Sequence, residues 1–551
     1  MTPQSALEQK DPIAFPVFNE KDLNRVCGFG EQCEFQPGEM IIPAGTRNYD
    51  CFFIISGEAR VVDISNDEEV EVTIHKAGEF AGDLDLLTGR PGVVDIVALI
   101  AVKAVRIKSA DIRKFLVRFP DLGDRLMHAF IRRREILQES SFEGIRLYGH
   151  KDCSMTLTLQ EFFYRNGVPN TWMDIEQPAN KSRLQRLEIS TKELPLLTYG
   201  NKELFRKPTL PQIAAHIGIQ RVIKKELYDT IIIGAGPSGL GAAVYSSSEG
   251  LSTLVLDQIG PGGQAGSSSK IENYAGFPAG LSGRELALRS YLQALKFGAD
   301  FIAPCSVKTI RKLKDGNYGV DLCTNETAVG RTVIIATGIN YRSLKVPGMD
   351  QLRGSGIYYN ATQVEAILCE GRPVHVIGAG NSAGQAAMFL SGFASEVNLL
   401  IRGESMAKSM SEYLWARIEQ NSKIKIRYKS ELASVHGNEN IRSVEVLNTL
   451  TGVHTREETS GVFIFIGGVP CTDFLPQGIE LDPHGFVKAG TDLATNFKKE
   501  NGRFPCPLET SYPGVFVSGD CRAGTTKRVA FAIGDGALAI TCVHDFLGTY
   551  S

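Results

Sequence analysis

The sequence predicts a multidomain α/β fold: an N-terminal β-barrel or jelly roll with trailing helices, an α/β insert, and then two Rossmann-like dinucleotide-binding α/β domains. Three observations predict it. Residues 34 to 108 alternate short β-rich runs with glycine turns, as in FQPGEMII and YDCFFIISGEARVVD. Far downstream stand two strand–loop–helix units, with GAGPSG from Gly234 and GAGNSAG from Gly378. The chain has 551 residues, which leaves room for about four domains at roughly 150 residues each.

Composition narrows the partners. With 43% hydrophobic and 22% charged residues and a net charge of -3, nothing electrostatic points to nucleic acid or an anionic membrane. No run approaches the ~18 apolar residues of a membrane helix; the most apolar stretch, Val93 to Ile107, is broken by Asp95 and Lys103. The start, MTPQSALEQKDP, lacks the basic patch and apolar core of a signal peptide, so the cytoplasm is the expected compartment. None of the 11 cysteines forms a C-x-x-C pair, which argues against a disulfide framework or a cysteine zinc site; most are expected to be buried thiols. The nine histidines show no metal-binding grouping, and no metal is expected.

In the first unit, 15–140, Val, Ile and Phe alternate between glycine turns, the pattern of a small antiparallel barrel. From Ser109 to Ser140 the period turns helical, with Ile112, Phe115, Leu116 and Phe119 on one face. Pro37-Gly38-Glu39, Ile55-Ser56-Gly57 and the cassette Phe80 to Leu87 resemble the cyclic nucleotide-binding domain. The resemblance implies a ribose-binding Glu and a phosphate-binding Arg in that cassette. Here Asp83 stands at the Glu position, and the Arg position falls on Gly92, with Arg90 offset by two. Without that cation a charge-assisted bidentate contact is lost. A nucleotide site and a docking or dimerisation module are both open, with the second favoured. Arg132-Arg133-Arg134 is expected to be a solvated face.

The second unit, 143–222, runs IRLYGHKDCSMTLTLQEFFYRNGVPNTWMDIE from Ile145: strand, loop, helix, strand. With the later hairpin and helix it resembles glutaredoxin and the thioredoxin fold, whose cis-proline matches Pro195. Where that family carries C-x-x-C, this chain has Cys153-Ser154-Met155-Thr156. A thiol at a helix N-terminus is placed for a lowered pKa, so Cys153 is the candidate one-thiol nucleophile; without the second cysteine, a vestigial fold used as a spacer is the favoured reading.

The third unit, 226–345, begins with strand Thr230 to Ile233. It enters G-x-G-x-x-G at Gly234, Gly236 and Gly239, with Pro237 and Ser238 opening the helix. The next strand ends in Asp257. Strand, spacing and terminal acid make a full dinucleotide fingerprint: pyrophosphate on the helix N-terminus, ribose hydroxyls on the acid. A second copy, in 346–465, runs through Gly378, Gly380, Asn381, Ser382 and Ala383, and its following strand ends in Arg402. A carboxylate there repels a 2′-phosphate and an arginine attracts it, so NADPH is expected in preference to NADH.

Further markers are Gly262-Gly263-Gln264, Ile271-Glu272-Asn273-Tyr274, Ala336-Thr337-Gly338, Ser518-Gly519-Asp520 and Arg528-Val529-Ala530. Together, from Leu227 to Leu547, they resemble the low-molecular-weight thioredoxin reductase family, which binds FAD and NADPH and is dimeric. The resemblance implies that the first loop, Asp257, Gly263, Gln264, Asn273, Val307, Ala336, Thr337, Gly338, Gly519 and Asp520 hold FAD. It places Arg528, Val529 and Ala530 at the flavin ring. It also makes 466–551 the second part of the FAD domain. The family's redox motif Cys-Ala-Thr-Cys falls on Asn360-Ala361-Thr362-Gln363: the middle pair is kept and both cysteines are replaced. The expected function is an NADPH-dependent FAD oxidoreductase that passes electrons to oxygen, a quinone-like molecule or a protein. The alternatives are a disulfide reductase using Cys153 and a redox- or nucleotide-responsive regulator.

Overall fold

In a computed structural model of the chain, the residues described are 10–549 without 64–69, 140–144, 151–152, 187–188, 200–201, 220–221, 269–270, 272, 342–343, 350–351, 353–355, 360, 362, 408, 439 and 494–503. Helix α1 (Glu20–Cys27) opens the N-terminal unit behind a reciprocal Asn19–Asp22 capping box. Strands β1 (Glu31–Phe35), β2 (Met40–Ile42), β3 (Cys51–Ser56), β4 (Glu58–Asp63), β5 (Val70–Lys76), β6 (Phe80–Ala81), β7 (Asp95–Ala98) and β8 (Val102–Ile107) follow. They form two antiparallel sheets, ordered β1–β8–β3–β6 and β2–β7–β4–β5. Only glycine fits the β3–β4 turn, where Gly57 has φ +97° and a Cβ would lie 2.2 Å from the Ala101 carbonyl oxygen. Inside, Phe53, Phe80, Phe115 and Phe130 are fully buried.

A short helix α2 (Asp85–Thr88) lies in the cassette, and α3 (Ile112–Arg118) and α4 (Pro120–Glu139) close the unit. The helical stretch breaks at Phe119 because Pro120 can begin a helix but not continue one. The arginine triplet corrects the sequence expectation. Arg133 and Arg134 are buried, because α4 turns that side onto the barrel. Arg133 donates to the carbonyls of Ala14, Phe80 and Gly82, and Arg134 pairs with Asp85 at 2.6 Å. Only Arg132, paired with Asp11 and Glu135, is partly exposed.

The thioredoxin-like unit consists of β9 (Ile145–Gly149), α5 (Ser154–Arg165), β10 (Asn170–Asp174), α6 (Pro178–Arg186), β11 (Leu196–Tyr199), β12 (Lys202–Arg206) and α7 (Leu210–His216). Its sheet is ordered β10–β9–β11–β12, with β9 and β10 parallel and the rest antiparallel. The Leu194–Pro195 bond before β11 is cis.

The third unit runs through β13 (Tyr228–Ile233), α8 (Pro237–Ser248), β14 (Thr253–Leu256), α9 (Gly283–Phe297), β15 (Asp300–Ile302), β16 (Val307–Lys312), β17 (Tyr318–Leu322) and β18 (Thr327–Ile335). Its strands lie in the order β15–β14–β13–β18–β17–β16. Ile231, Ile232, Ile233, Leu254, Val255 and Leu256 are all buried, the unbroken apolar run of parallel strands covered on both faces.

Strand β19 (Ile339–Tyr341) then leads into the fourth unit. This has β20 (Ile357–Tyr358), α10 (Gln363–Leu368), β21 (Pro373–Ile377), α11 (Asn381–Leu390), β22 (Glu396–Ile401), α12 (Glu412–Glu419), β23 (Ile424–Tyr428), a three-stranded meander β24 (Ser430–Gly437), β25 (Ile441–Asn448) and β26 (His454–Glu458), and β27 (Gly461–Ile464). The chain returns along β28 (Gly468–Pro470), antiparallel to β19. Strand β29 (Val515–Val517) then joins β18 in parallel, so the FAD-type sheet is completed only after the second Rossmann unit.

The last helix, α13 (Val529–Thr549), corrects the hydropathy reading. Val529–Gly548, of mean hydropathy 1.4, is long and apolar enough to cross a membrane by length and composition alone, and 44% of it is buried. The buried part packs on the core. Ala539, Ile540 and Val543 are fully buried, and a Cβ on Gly536 would lie 2.2 Å from the Ser238 carbonyl of α8. The two helices therefore meet backbone to backbone.

The first three units are joined. Leu292 and Leu295 of α9 belong to the same core as Phe115 and Leu116. Arg90 Nη1 donates to the Asn166 carbonyl at 2.6 Å, and Asn166 Nδ2 donates to the Ile259 carbonyl at 2.8 Å. The Arg284 guanidinium lies 4.4 Å from the Tyr164 ring centre.

Candidate active site

The first cleft is built by backbone contacts that exclude side chains. Gly234, at φ +107°, would place a Cβ 2.3 Å from the Ala336 carbonyl, and Gly239 would place one 1.8 Å from the Gly234 carbonyl. Gly236 is extended and caps α8, with Pro237 in the first turn. Strand and helix are thereby held close, and the helix N-terminus stays open. Ser238 Oγ donates to Ser518 Oγ at 2.7 Å, fully buried. A Cβ on Gly263 would lie 2.7 Å from Gly236 Cα, and one on Gly519 would lie 2.7 Å from Ser238 Cβ.

Asp257 ends β14. Its Oδ2 accepts from the Ala235 N–H at 2.8 Å, and its Oδ1 accepts from the Ile259 and Gly260 N–H groups at 2.9 and 2.8 Å. The carboxylate is thus fixed by three amides, with lone pairs to spare. Thr337 Oγ1 donates to the Cys471 carbonyl, Gly338 has φ +64°, and Gln264 Nε2 donates to the Ile339 carbonyl at 3.3 Å. Gly519 N–H donates to Asp535, which also pairs with Arg522. Burial raises the Asp520 carboxyl above its ordinary range, with Lys527 acting against the shift. Arg528 and Ala530 are exposed and Val529 half-buried at the start of α13.

The structure therefore gathers the 234–239 loop, Asp257, Gly263, Ala336 and Gly519 around one crevice. Asn273 is exposed and Val307 half-buried; neither shares these backbone contacts. Ser518 and Asp535 went unassigned in the sequence. Ser518 lies in the Ser-Gly-Asp marker itself, whereas nothing local singles out Asp535.

In the second cleft, Gly378 at φ +144° would put a Cβ 2.4 Å from the Phe465 carbonyl. Gly380 caps α11. Asn381 Oδ1 accepts from the Ser411 N–H and hydroxyl at 2.8 and 3.1 Å, and Ser409 Oγ donates to the Ala379 carbonyl. Ser382 is exposed and Ala383 buried. Arg402 follows β22 and is exposed.

At the redox positions, Asn360 and Thr362 lie outside the described residues, Ala361 is buried, and Gln363 begins α10. Cys153 is the N-cap residue of α5 and is half-buried. Cys521 is fully buried beneath the first cleft, and burial pushes its thiol up to about 11. Only five of the cysteines, Cys51, Cys305, Cys369, Cys521 and Cys542, are buried, and Cys323 is exposed. The expectation that most are buried was too strong.

The N-terminal unit has a cavity of about 80 Å³ lined by Tyr49, His75, Asp83, Gly92 and Arg133 among apolar side chains. Gly92 spends its N–H on the Thr46 carbonyl. Arg133 is committed to three carbonyls, and Tyr49 donates to Asp83. Burial pulls the Arg133 guanidinium down to about 10.

The family model for the pyridine nucleotide-disulphide oxidoreductases matches residues 228–536. The chain belongs to that family. A model for the cyclic nucleotide-binding domain matches residues 32–119. This oxidoreductase is 33% identical over 327 residues to the thioredoxin reductase of Bacillus subtilis strain 168, covering 59% of this chain and 96% of the relative. It is 31% identical over 319 residues to that of Listeria innocua, covering 57% and 92%. Among solved structures it is similar to the thioredoxin reductase of T. acidophilum (TM-score 0.53, 28% identity, 59% of this chain and 100% of that one). It is also similar to the Lactococcus lactis thioredoxin reductase in its FR conformation (TM-score 0.52, 28% identity, 58% and 99%). The oxidoreductase is therefore a thioredoxin reductase-like flavoprotein fused to an N-terminal cyclic nucleotide-binding domain, and FAD and NADPH are the cofactors of its class.

Proposed function

We propose that this oxidoreductase takes electrons from NADPH and delivers them to an acceptor without a dithiol at the family's usual place. One observation carries the reading: both glycine cradles are sterically intact, while Asn360-Ala361-Thr362-Gln363 replaces the redox pair and the chain has no C-x-x-C. FAD, when bound, supplies the two-electron chemistry between NADPH and the acceptor. The cradle fits it, since a Cβ at Gly234 or Gly239 would collide with backbone.

In this reading the first turn of α8 holds the pyrophosphate, and Asp257, fixed by three amides, accepts from the ribose hydroxyls. The first N–H groups of α13, at Val529 and Ala530, hold negative charge at the ring. The start of α11 holds the NADPH pyrophosphate, and the exposed Arg402 pairs with its 2′-phosphate. Asn and Gln cannot exchange electrons, so no electron relay runs through positions 360 and 363. The acceptor is oxygen, a quinone-like molecule or a protein, and a homodimer belongs to the same reading. The N-terminal cavity is read as part of a docking module, since its cations are already committed.

Anaerobic rapid mixing with NADPH should bleach the flavin absorbance, and oxygen or a quinone should restore it. A flavin that stays oxidised overturns the proposal. Turnover of a disulfide substrate that disappears in Cys153→Ser would instead favour the one-thiol route, for which the N-cap position of Cys153 is the supporting observation.

A further inference from the structure

We propose that the N-terminal unit completes the FAD site, with Arg113 and Arg90 forming a wall over the adenosine half of the cofactor. The inference rests on the reading of the first cleft as the FAD site. Where the first three units meet, a cavity of about 490 Å³ opens. One wall is Ala235 and Asp257 of the first cleft, with Ala303 just past β15; the facing wall includes Asn48, Arg90 and Arg113 of the N-terminal unit.

The position follows from the fingerprint. With pyrophosphate on α8 and ribose on Asp257, the adenine lies beyond Asp257, outside the C-terminal ends of β14 and β15. The cavity is at that place. Its charge suits the ligand: Arg90, Arg113 and Lys224 line it against the single carboxylate of Asp257.

Arg113 is the informative side chain. Its neighbours are committed: Arg90 to the Asn166 carbonyl at 2.6 Å, Lys224 to Asp300 at 2.8 Å. Among the described residues, no hydrogen bond or ion pair is found for Arg113. A planar guanidinium that lies near Tyr291, makes no hydrogen bond or ion pair among the described residues, and is half-buried at a cavity wall can stack on a purine or donate to its ring nitrogens and to ribose.

The B. subtilis relative aligns over 96% of its length with only 59% of this chain, and the N-terminal unit lies outside the 228–536 oxidoreductase match. The wall is therefore an addition of this chain. It makes FAD retention and folding of the N-terminal unit mutually dependent, because linkage between two binding or folding events is reciprocal.

The test uses the full-length protein, stripped of flavin and titrated with FAD while flavin fluorescence is followed. Arg113→Ala should weaken FAD binding about tenfold, the scale of a lost charged hydrogen bond. Arg113→Glu should weaken it further, and Arg113→Lys should fall between wild type and Ala. Circular dichroism and an unchanged NADPH affinity show that the variants are folded. Unchanged FAD affinity in folded Ala and Glu variants overturns the wall alone. A wild-type protein that binds no FAD overturns the reading of the first cleft as well. AMP binding to FAD-saturated protein, lost in Arg113→Glu, would make the cavity a separate nucleotide site and would also overturn the inference.

Discussion

The two dinucleotide clefts repeat one strand–loop–helix plan, and two of their differences set them apart most. The third small residue of the loop is Gly239 in the first and Ala383 in the second. The residue at the end of the next strand is Asp257 in the first and Arg402 in the second. In the first cleft there is no space for a methyl, because a Cβ on Gly239 meets the Gly234 carbonyl at 1.8 Å; in the second, Ala383 is accommodated and buried. Asp257 is tied by three backbone amides, whereas Arg402 stands exposed. The first cleft is a tight seat that also belongs to the fold. The second is a looser one, and in the proposed reading its specificity sits on the exposed Arg402. That suits a cofactor that stays bound against one that must leave on each turnover.

The largest effect should come from Gly239→Ala. The methyl must drive α8 from its loop, a strain of about 1–3 kcal/mol, and the purified protein should carry no flavin by its visible absorbance. The mirror change, Ala383→Gly, should cost at most about 1 kcal/mol of helix propensity and leave NADPH affinity within about twofold. Retained flavin in Gly239→Ala would erase the contrast between the seats.

Next in size is Asp257→Ala, which strips three amides of their acceptor. FAD affinity should fall about a hundredfold, as unpaired buried donors cost about 1–3 kcal/mol each, and the melting temperature should drop with it. Arg402→Glu should raise the KM for NADPH roughly 10- to 100-fold, the worth of a charge-assisted contact, and leave NADH nearly unaffected. Equal losses with both nucleotides would mean that Arg402 does not read the 2′-phosphate.

The smallest effect concerns acid. In the second Rossmann unit the hydrogen bond from His375 holds the Glu457 carboxyl down at about 2; burial acts against the shift, and Thr455 and Arg427 support it. A depressed carboxylate stabilises above its unfolded pKa, and that contribution is lost as pH falls below about 4.5 toward 2. In the first cleft Asp520 is shifted upward. Its protonated form is favoured in the folded state, so acid relieves the cost of burying that carboxylate and removes no stability there. With Trp172 changed to Phe, fluorescence of Trp415 on α12 should report loosening of the second unit between pH 4.5 and 3. Glu457→Gln should flatten that response.

Much of this architecture was legible. The apolar strands, the glycine spacings, the acid against the arginine and the loss of both cysteines are local patterns, each tied to one steric or electrostatic requirement. The arginine triplet was misread because three successive helical residues fan out over about 200° of the helix circumference. Which of them is buried depends on where the barrel lies. The apolar C-terminal helix was passed over because Asp535 and Asp545 interrupt it; its partner, α8, is nearly 300 residues earlier in the chain, a separation no window spans. Ser518 stood inside the Ser-Gly-Asp marker, whereas Asp535 became visible only through its contacts with Gly519 and Arg522.

By itself the sequence determined that this protein has two nucleotide seats and no redox pair beside the second. Backbone sterics and side-chain chemistry act over a few residues, and a few residues suffice to state them. Only the tertiary structure decided that Arg133 and Arg134 are interior, that α13 packs on α8, and that Arg113 and Asp257 line one cavity. Those outcomes depend on surfaces brought together from distant parts of the chain. The free energy of burying them belongs to the pair of surfaces and is written in neither segment alone.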